Sequence, residues 1–264
     1  MVKGHEVVRS VTAFAKGVVT RKTVGTCTKA HPAVTKGPAL VCKTIEDWTQ
    51  PRCRAYRALL VPRPRLRHKF QWQVDRLASS GAFGEDQAVE EEVKIPSRPS
   101  DQSFAIALSK KARSLAGMVV RHGLPKDLGR EIQQDFEEIG MTMAKLLPPG
   151  KCMHFKLDIM GKTSCSRWHQ DHYACRAVVS YNADGTQYID HDHTDMKQLV
   201  NGGTNEAIVP DVSKVLSANV GDILFMKGTQ YPTTPNGLVH KSPAVRWHTD
   251  GTVVNRLLLK VDVH

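Results

Sequence analysis

The architecture of this chain follows from two stretches, Trp168-His169-Gln170-Asp171 and Gly237-Leu238-Val239-His240. Side chains alternate along a β-strand with a period of two, so a His-x-Asp pair on one strand presents both side chains on the same face. His240 would reach that face from a strand that is distant in sequence. Two imidazoles and one carboxylate on one side of a metal ion leave its other side open. The sequence therefore predicts that His169, Asp171 and His240 form a metal centre.

The segments on either side of His240 support this interpretation. Asn-Val-Gly-Asp at 219–222 predicts a turn, and the apolar run at 223–226 predicts a buried strand. This order of turn, strand, loop and histidine resembles the end of the double-stranded β-helix oxygenases, which bind non-haem Fe(II) and 2-oxoglutarate. Arg256 begins the last apolar run. In that class a basic residue on the last strand binds the distal carboxylate of 2-oxoglutarate, so the resemblance implies this role for Arg256, whose fork suits a carboxylate.

The chain also resembles a family defined by a domain of unknown function, with bacterial, algal and fungal members. Residues 165–171 are similar to its Cys-x-Arg-aromatic-His-x-Asp block, and residues 185–188 are similar to its Gly-Thr-acidic-aromatic turn. Gln187 stands in place of the acid in that turn. The resemblance covers about residues 150–264 and, more weakly, 45–60. It implies a cupin-type fold like that of the Fe(II)/2-oxoglutarate dioxygenases, an analogy of fold alone. Further similar segments lie at 175–181, 225–228, 239–243 and 256–259.

The positive charge of the chain lies in its front segment. The formal net charge is +11 over 264 residues. Residues 1–70 contain 15 Lys and Arg against three acids, a balance of 15 − 3 = +12, so the remainder sums to 11 − 12 = −1. Basic runs at 52–57 and 63–67 are typical of solvated surfaces more often than of phosphate contacts. A nucleic-acid partner is therefore not predicted, and a small-molecule substrate is.

The cysteines indicate a reducing compartment. The six cysteines (27, 42, 53, 152, 165 and 175) include no Cys-x-x-Cys pair, and no secretory apolar segment opens the chain. We expect an intracellular, cytoplasmic protein, with an organellar transit segment as the alternative for the basic front. No apolar run approaches the ~18 residues that a membrane span requires. The sequence leaves the oligomeric state open.

Changes in sequence pattern predict three parts: a basic, disordered leader (1–44), a helical part (45–150) and a β-barrel part (151–264). In the middle part, apolar spacing predicts helices at about 103–121 and 125–147, the second ending at Pro148-Pro149-Gly150. Short strands are predicted at 152–160, 174–181, 223–226 and 257–263. The predicted fold class is α+β, with a double-stranded β-helix (a cupin-like jelly roll) braced by helices.

Other residues compete for functional roles. The cluster Asp190-His191-Asp192-His193-Thr194-Asp195 contains ligands that suit zinc, but no distant partner is specified, and a solvated loop is the favoured interpretation. Arg246 is the main competitor of Arg256 for the co-substrate. Arg246, Arg167 and Arg176 are also candidate substrate-binding residues. Arg176 would share the face of Asp171 only if a turn between them reset the strand alternation.

The predicted function is that of an Fe(II)-dependent oxygenase that uses 2-oxoglutarate to oxidise a small organic molecule. The alternative is a non-catalytic metal-binding protein that holds Zn(II) through the same triad, a role in zinc handling that the family resemblance suggests for its bacterial members. The sequence contains no Gly-x-Ser-x-Gly, phosphate loop or dinucleotide fingerprint, so hydrolase, kinase and nicotinamide dehydrogenase functions lack support.

Overall fold

The structure, a computed structural model, describes residues 38–64, 70–81, 89–99, 102–233 and 236–264. Most of the predicted leader, and with it the alternative of a transit segment, lies outside the described residues. The last part of that leader does have described structure, because residues Ala39–Val41 form the first strand, β1. The proposed division at 44 and 150 remains a proposal. The strands from the front of the chain nevertheless join the same sheet as those of the barrel part.

The described residues form ten strands and five α-helices. The strands after β1 are β2 (Ala58–Val61), β3 (Val89–Lys94), β4 (Cys152–Met160), β5 (Cys175–Ser180), β6 (Gln187–Ile189), β7 (Leu216–Ser217), β8 (Ile223–Lys227), β9 (Val239–Lys241) and β10 (Arg256–Val263). The helices are α1 (Gln71–Ser80), α2 (Gln102–Arg121), α3 (Lys126–Leu146), α4 (Met196–Asn201) and α5 (Asn205–Ile208). The two long helices and the four strands that the sequence predicted are confirmed, with ends that differ by at most a residue or two.

The strand order defines a double-stranded β-helix. A seven-stranded sheet has the order β1-β2-β8-β5-β10-β4-β3, and a three-stranded sheet has the order β7-β6-β9. A β-bridge between His169 and His240 adds the segment around His169 beside β9. From β4 onward, and counting the segment around His169, successive strands belong to the large, small, large, small, small, large, small and large sheet. This alternation wraps the chain around a jelly-roll barrel and confirms the predicted α+β fold class.

Two strands of the large sheet are joined by complementary charges. The acidic strand β3 pairs with β4 in antiparallel register, with Glu90 opposite Lys156 and Glu92 opposite His154. Lys156 Nζ lies 3.0 Å from Glu90 Oε1. Glutamates disfavour a strand when they are read alone. The basic side chains of β4 compensate these glutamates, so β3 is stabilised as a strand by a partner that lies far along the chain.

The two faces of the large sheet bury different groups. Toward the helices, one core contains Leu257, Leu259 and Val261 of β10 together with Leu108 of α2 and Phe136 of α3. Leu258, on the opposite face, packs between the sheets in a second core. Strand alternation places Arg256, Lys260 and Asp262 on the same side as Leu258. β10 therefore supplies apolar side chains to the helices and charged side chains to the barrel interior.

The helices brace the sheet through their apolar stripes. Phe136 of α3 stacks on Phe155 of β4 with ring centroids 3.7 Å apart, and both rings are fully buried. Burial of aromatic rings of this size contributes roughly 1.5–3 kcal/mol each to folding. Among the described helices, none is both long enough and apolar enough to cross a membrane.

Candidate metal centre

Two histidines meet where the small sheet closes. His169 and His240 exchange both backbone hydrogen bonds, each with an N···O distance of 3.0 Å. In an antiparallel pair, residues that face each other in this way point their side chains to the same side of the sheet. The two ring centroids are 4.4 Å apart. The structure therefore brings together two imidazoles that lie far apart in the sequence.

Asp171 completes the group from two residues further along. His169 Nε2 lies 3.7 Å from Asp171 Oδ1, and His240 Nε2 lies 3.5 Å from Asp171 Oδ2. The three donor atoms lie within 4.8 Å of one another. Bonds of roughly 2.0–2.2 Å place neighbouring ligand atoms of one metal about 3 Å apart. A modest contraction would bring these atoms to that spacing.

The segment that carries Asp171 is held against the end of β8. Thr229 N donates a hydrogen bond to Asp171 O (2.9 Å), and Gly228 N donates one to Ala174 O (2.9 Å). The backbones approach so closely that a Cβ on Gly228 would lie 2.0 Å from Tyr173 O. A glycine is therefore required at 228 for Asp171 to occupy its position.

The hydrogen bonds of the imidazoles indicate which nitrogen of each is free. His169 Nδ1 lies 2.8 Å from Arg167 O, and His240 Nδ1 lies 3.1 Å from Leu238 O. A carbonyl only accepts, so each Nδ1 carries a proton, and in the neutral form of each ring Nε2 has the lone pair, beside Asp171. Metal-ligating histidines commonly donate their other N–H to a carbonyl in this way. Cys165 Sγ lies 3.6 Å from His169 Nδ1, on the side of the ring away from that lone pair.

The protonation states also suit a divalent cation. Burial lowers the pKa of His240 to about 4, although Asp171 opposes the shift, so this imidazole is neutral near pH 7. Asp171 Oδ2 is buried and accepts no hydrogen bond. Arg176 Nη1 lies 3.1 Å from this oxygen without a hydrogen bond to it, so the oxygen keeps a lone pair that a metal ion could use. Two imidazole nitrogens and this oxygen are a donor set that fits Fe(II) or Zn(II).

Arg256 shares a cavity with the two histidines. The cavity has a volume of about 120 Å³, and its lining includes His169, His240, Arg256 and Lys260. Arg256 is only 6% exposed. Its Nη1 donates to Asp184 O (3.2 Å) and its Nη2 to Ser164 Oγ (3.3 Å).

The guanidinium of Arg256 lacks a compensating acid. Burial lowers the pKa of Arg256 to about 10, with only a small opposing effect from Asp184. In the described parts of the chain, no carboxylate lies within ion-pair distance of it. The other two cations of the cavity do have acids: Arg176 pairs with Asp262, and Lys260 pairs with Asp158.

The remaining arginine candidates lie elsewhere. Arg167 is exposed and lies beside Gly202, outside the lining of the 120 Å³ cavity. Arg246 is exposed, pairs with Asp184 (3.3 Å), and lines a separate cavity of about 530 Å³ together with Gln71 and Asn219. Of the three candidate substrate-binding arginines, the structure places only Arg176 in the cavity that the histidines line.

The rival cluster at 190–195 does not assemble a metal site. His191 Nε2 lies 2.9 Å from Gly237 O, and Asp190 pairs with Arg57 (3.5 Å). Within the described residues, His169, Asp171 and His240 are the one group of three or more metal-binding side chains whose donors converge. Lys260 and Asp262 were not predicted as site residues. The alternation of side chains along β10 would have placed them on the same face as Arg256.

The fold and the site together define a cupin-type protein with a two-histidine, one-aspartate candidate metal centre. The chain belongs to the family described as "Protein of unknown function (DUF1826)", whose model matches residues 68–262. This agrees with the family resemblance seen in the sequence. No protein of curated function matches the chain.

Several solved structures share a distant likeness. A full-length Neurospora crassa protein, solved in complex with alpha-KG, is 7% identical with a TM-score of 0.36, covering 87% of this chain and 86% of that one. A protein assigned as an oxygenase from Shewanella oneidensis is 12% identical (TM-score 0.34; 87% and 90% covered). A Caulobacter crescentus protein assigned to the 2OG-Fe(II) oxygenase family is 12% identical (TM-score 0.34; 86% and 85% covered). TM-scores this low carry no argument about function, so the fold assignment rests on the strand order.

Proposed function

We propose that this protein is a non-haem Fe(II) oxygenase that uses 2-oxoglutarate as co-substrate and oxidises a small organic molecule. The observation that carries the proposal is the uncompensated guanidinium of Arg256 in the cavity that His169 and His240 line. A buried cation without an acid is unfavourable by itself and becomes favourable when an anionic ligand binds.

Each side chain has a distinct part in this proposal. His169, Asp171 and His240 would hold the metal on one side. Bound Fe(II) would supply the reaction with dioxygen, for which 2-oxoglutarate provides the electrons. Arg256 would bind the distal carboxylate of 2-oxoglutarate through its fork, and the buried walls would keep water away from that ion pair.

The size of the cavity favours a small co-substrate inside the barrel. Its 120 Å³ is well below the roughly 300–1,000 Å³ of pockets that enclose drug-sized ligands. We therefore infer that the organic substrate binds at the mouth of the barrel, next to the metal, while 2-oxoglutarate occupies the interior.

The first experiment tests the metal. Full-length protein purified without oxygen is titrated with Mn(II), a non-oxidisable substitute for Fe(II), and free Mn(II) is measured by electron paramagnetic resonance. We expect His169→Ala to weaken binding by more than about a hundredfold, because it removes a ligand and outer contacts alone contribute 10–100-fold. His191→Ala, from the rival cluster, is the matched control and should leave binding unchanged. The reverse ranking of the two variants would move the metal site to residues 190–195.

The second experiment separates an oxygenase from a non-catalytic zinc-handling protein. Calorimetry of the Mn(II)-loaded protein with 2-oxoglutarate should show binding that Arg256→Leu weakens by roughly thirtyfold to several thousandfold, the equivalent of about 2–5 kcal/mol for a lost buried charge pair. Arg246→Leu is the exposed control and should have little effect. A zinc-handling protein has no need of either arginine. Absence of binding heat at millimolar 2-oxoglutarate in the wild type would exclude 2-oxoglutarate and leave only the metal site.

A further inference from the structure

Arg176 lies directly behind the carboxylate of the candidate metal centre. It stands on the cavity side of β5, opposite Asp262 of β10 in the antiparallel register. Its Nε donates to Asp262 Oδ1 (2.6 Å) and its Nη2 to Asp262 Oδ2 (2.9 Å). Two parallel hydrogen bonds of this kind fix the plane of a guanidinium. Asp262 therefore holds Arg176 in one orientation.

The remaining arm of Arg176 distinguishes the two oxygens of Asp171. Nη1 donates to Oδ1 at 3.2 Å. It is also 3.1 Å from Oδ2, but its N–H bonds do not point at that atom, which is buried and accepts no hydrogen bond. His240 Nε2 lies 3.5 Å from Oδ2. Oδ1 thus accepts the hydrogen bond of the guanidinium and also lies 3.7 Å from His169 Nε2, whereas Oδ2 faces His240 and accepts no hydrogen bond.

The charges around Arg176 are also balanced in favour of a cation at the site. Arg176 and Asp262 together carry no formal charge, so the carboxylate of Asp171 keeps its own negative charge. Without Asp262, the guanidinium would cancel that charge and repel a divalent ion nearby. The Asp262–Arg176 pair therefore supplies a hydrogen-bond donor to Asp171 at little electrostatic cost to metal binding.

We propose that Arg176 is a positioning residue that reserves a single oxygen of Asp171 for the metal, and that Asp262 fixes Arg176 for this task. The inference rests on the proposed function, because it presupposes a metal at His169, Asp171 and His240. A carboxylate that binds through one oxygen leaves a coordination position that two-oxygen binding would occupy. This role differs from the substrate binding that the sequence suggested for Arg176.

A neighbouring charge pair provides a matched control. Lys260 lies two residues before Asp262 on the same face of β10 and pairs with Asp158 of β4. Lys260 lines the same cavity, but neither residue of this pair contacts the triad. If buried ion pairs only stabilise the barrel, replacing either pair should affect metal binding to the same extent. If Arg176 positions the metal ligand Asp171, only the replacement of Arg176 and Asp262 should weaken metal binding.

The test compares two double variants of the full-length chain, Arg176→Leu/Asp262→Leu and Lys260→Met/Asp158→Leu. Both partners of each pair are replaced together so that neither partner leaves the charge of the other buried and unpaired. Mn(II) affinity is measured as above, and the visible absorption of the Co(II)-loaded protein reports the number of coordinating atoms. For the first variant we expect ~10–100-fold weaker Mn(II) binding and an altered Co(II) spectrum. For the control we expect less than about a threefold change and an unaltered spectrum.

Asp262→Asn provides the second variant if the first fails to fold. It keeps the size of the side chain and releases the fork of Arg176, so we expect about three- to tenfold weaker Mn(II) binding together with a spectral change. A folded variant with wild-type affinity and a wild-type Co(II) spectrum would overturn the positioning role alone. Failure of the wild type to bind Mn(II) would overturn the proposed function as well, so the two failures are distinguishable.

Discussion

Lys227, at the end of β8, is a buried cation whose protonation is coupled to folding. Its Nζ donates to Cys53 O (3.2 Å) and Arg54 O (2.8 Å), and the residue is 2% exposed. Burial lowers the pKa of Lys227 from 10.5 to about 8, a shift that nearby Cys53 and Cys175 oppose. Between these two pH values the unfolded chain binds the proton while the folded protein does not.

Protein stability should therefore rise with pH across that window. Because the unfolded state binds more protons, the free energy of unfolding of the wild type relative to Lys227→Met should increase by up to about 3 kcal/mol between pH 8 and pH 10.5. Urea unfolding of both proteins at several pH values measures this difference and cancels the other titrating groups. Parallel pH profiles for the two proteins would contradict the prediction.

At the residue scale, the sequence predicted that His169, Asp171 and His240 lie together, as they do, while the binding roles of these residues and of Arg256 remain proposals. A period of two brings His169 and Asp171 to one face, and an arginine that begins a buried strand has a fixed position. The role of Arg176 could not be predicted in the same way. Residues 172–174 leave the strand before β5 begins, so the alternation restarts and Arg176 faces Asp171. The pairing of Arg176 with Asp262 depends on the register between β5 and β10, a long-range contact that local sequence patterns do not predict.

At the element scale, the end of β8 positions the segment that carries Asp171. Gly228→Ala should weaken Mn(II) binding, because a Cβ there would press on Tyr173 O and Asp171 O, and both are backbone atoms that cannot move alone. We expect a loss of stability of about 1–3 kcal/mol and metal binding that is at least about tenfold weaker.

Gly117→Ala in α2 is the control for this change. Its Cβ would meet only the flexible end of Arg121 at 3.3 Å, and alanine is favoured over glycine inside a helix by about 1 kcal/mol. This variant should be as stable as the wild type or more so, with unchanged metal affinity. Equal metal affinity in Gly228→Ala and the wild type would show that the close approach at 228 does not determine the position of Asp171.

The secondary-structure elements differ in how well the sequence alone predicts them. The amphipathic helices α2 and α3 are indicated by their apolar spacing. β3 is not, because its acidic side chains are stabilised by Lys156 and His154 on a strand that lies far along the chain. β1 has three residues, and its pairing with β2 is likewise a long-range contact.

At the scale of the whole molecule, the front of the chain closes one edge of the large sheet. Leu40 of β1 pairs with Leu59 of β2, and Cys42 just beyond is 2% exposed. A protein that begins at residue 45 would lose these contacts, whereas one that begins at residue 38 would keep them. We expect the shorter protein to be less stable by about 1–3 kcal/mol, the equivalent of burying one or two apolar side chains.

Denaturant unfolding of the two truncated proteins measures this difference, and Mn(II) titration checks the site. Both proteins should bind the metal with wild-type affinity when folded, because the triad lies on segments after residue 160. Equal stability of the two proteins would show that β1 contributes nothing to the sheet. Loss of metal binding in the protein that begins at residue 38 would show that earlier residues belong to the site.

The two faces of β10 have a consequence for how the protein is maintained in a cell. A slip of one residue in the pairing of this strand would carry Arg256, Lys260 and Asp262 into the core beneath the helices. Burial of charges there costs several kcal/mol each, so such a chain would be removed by cellular quality control. Every chain that survives therefore already carries the charged cavity. Selection for abundance alone would therefore preserve the charged interior of the barrel.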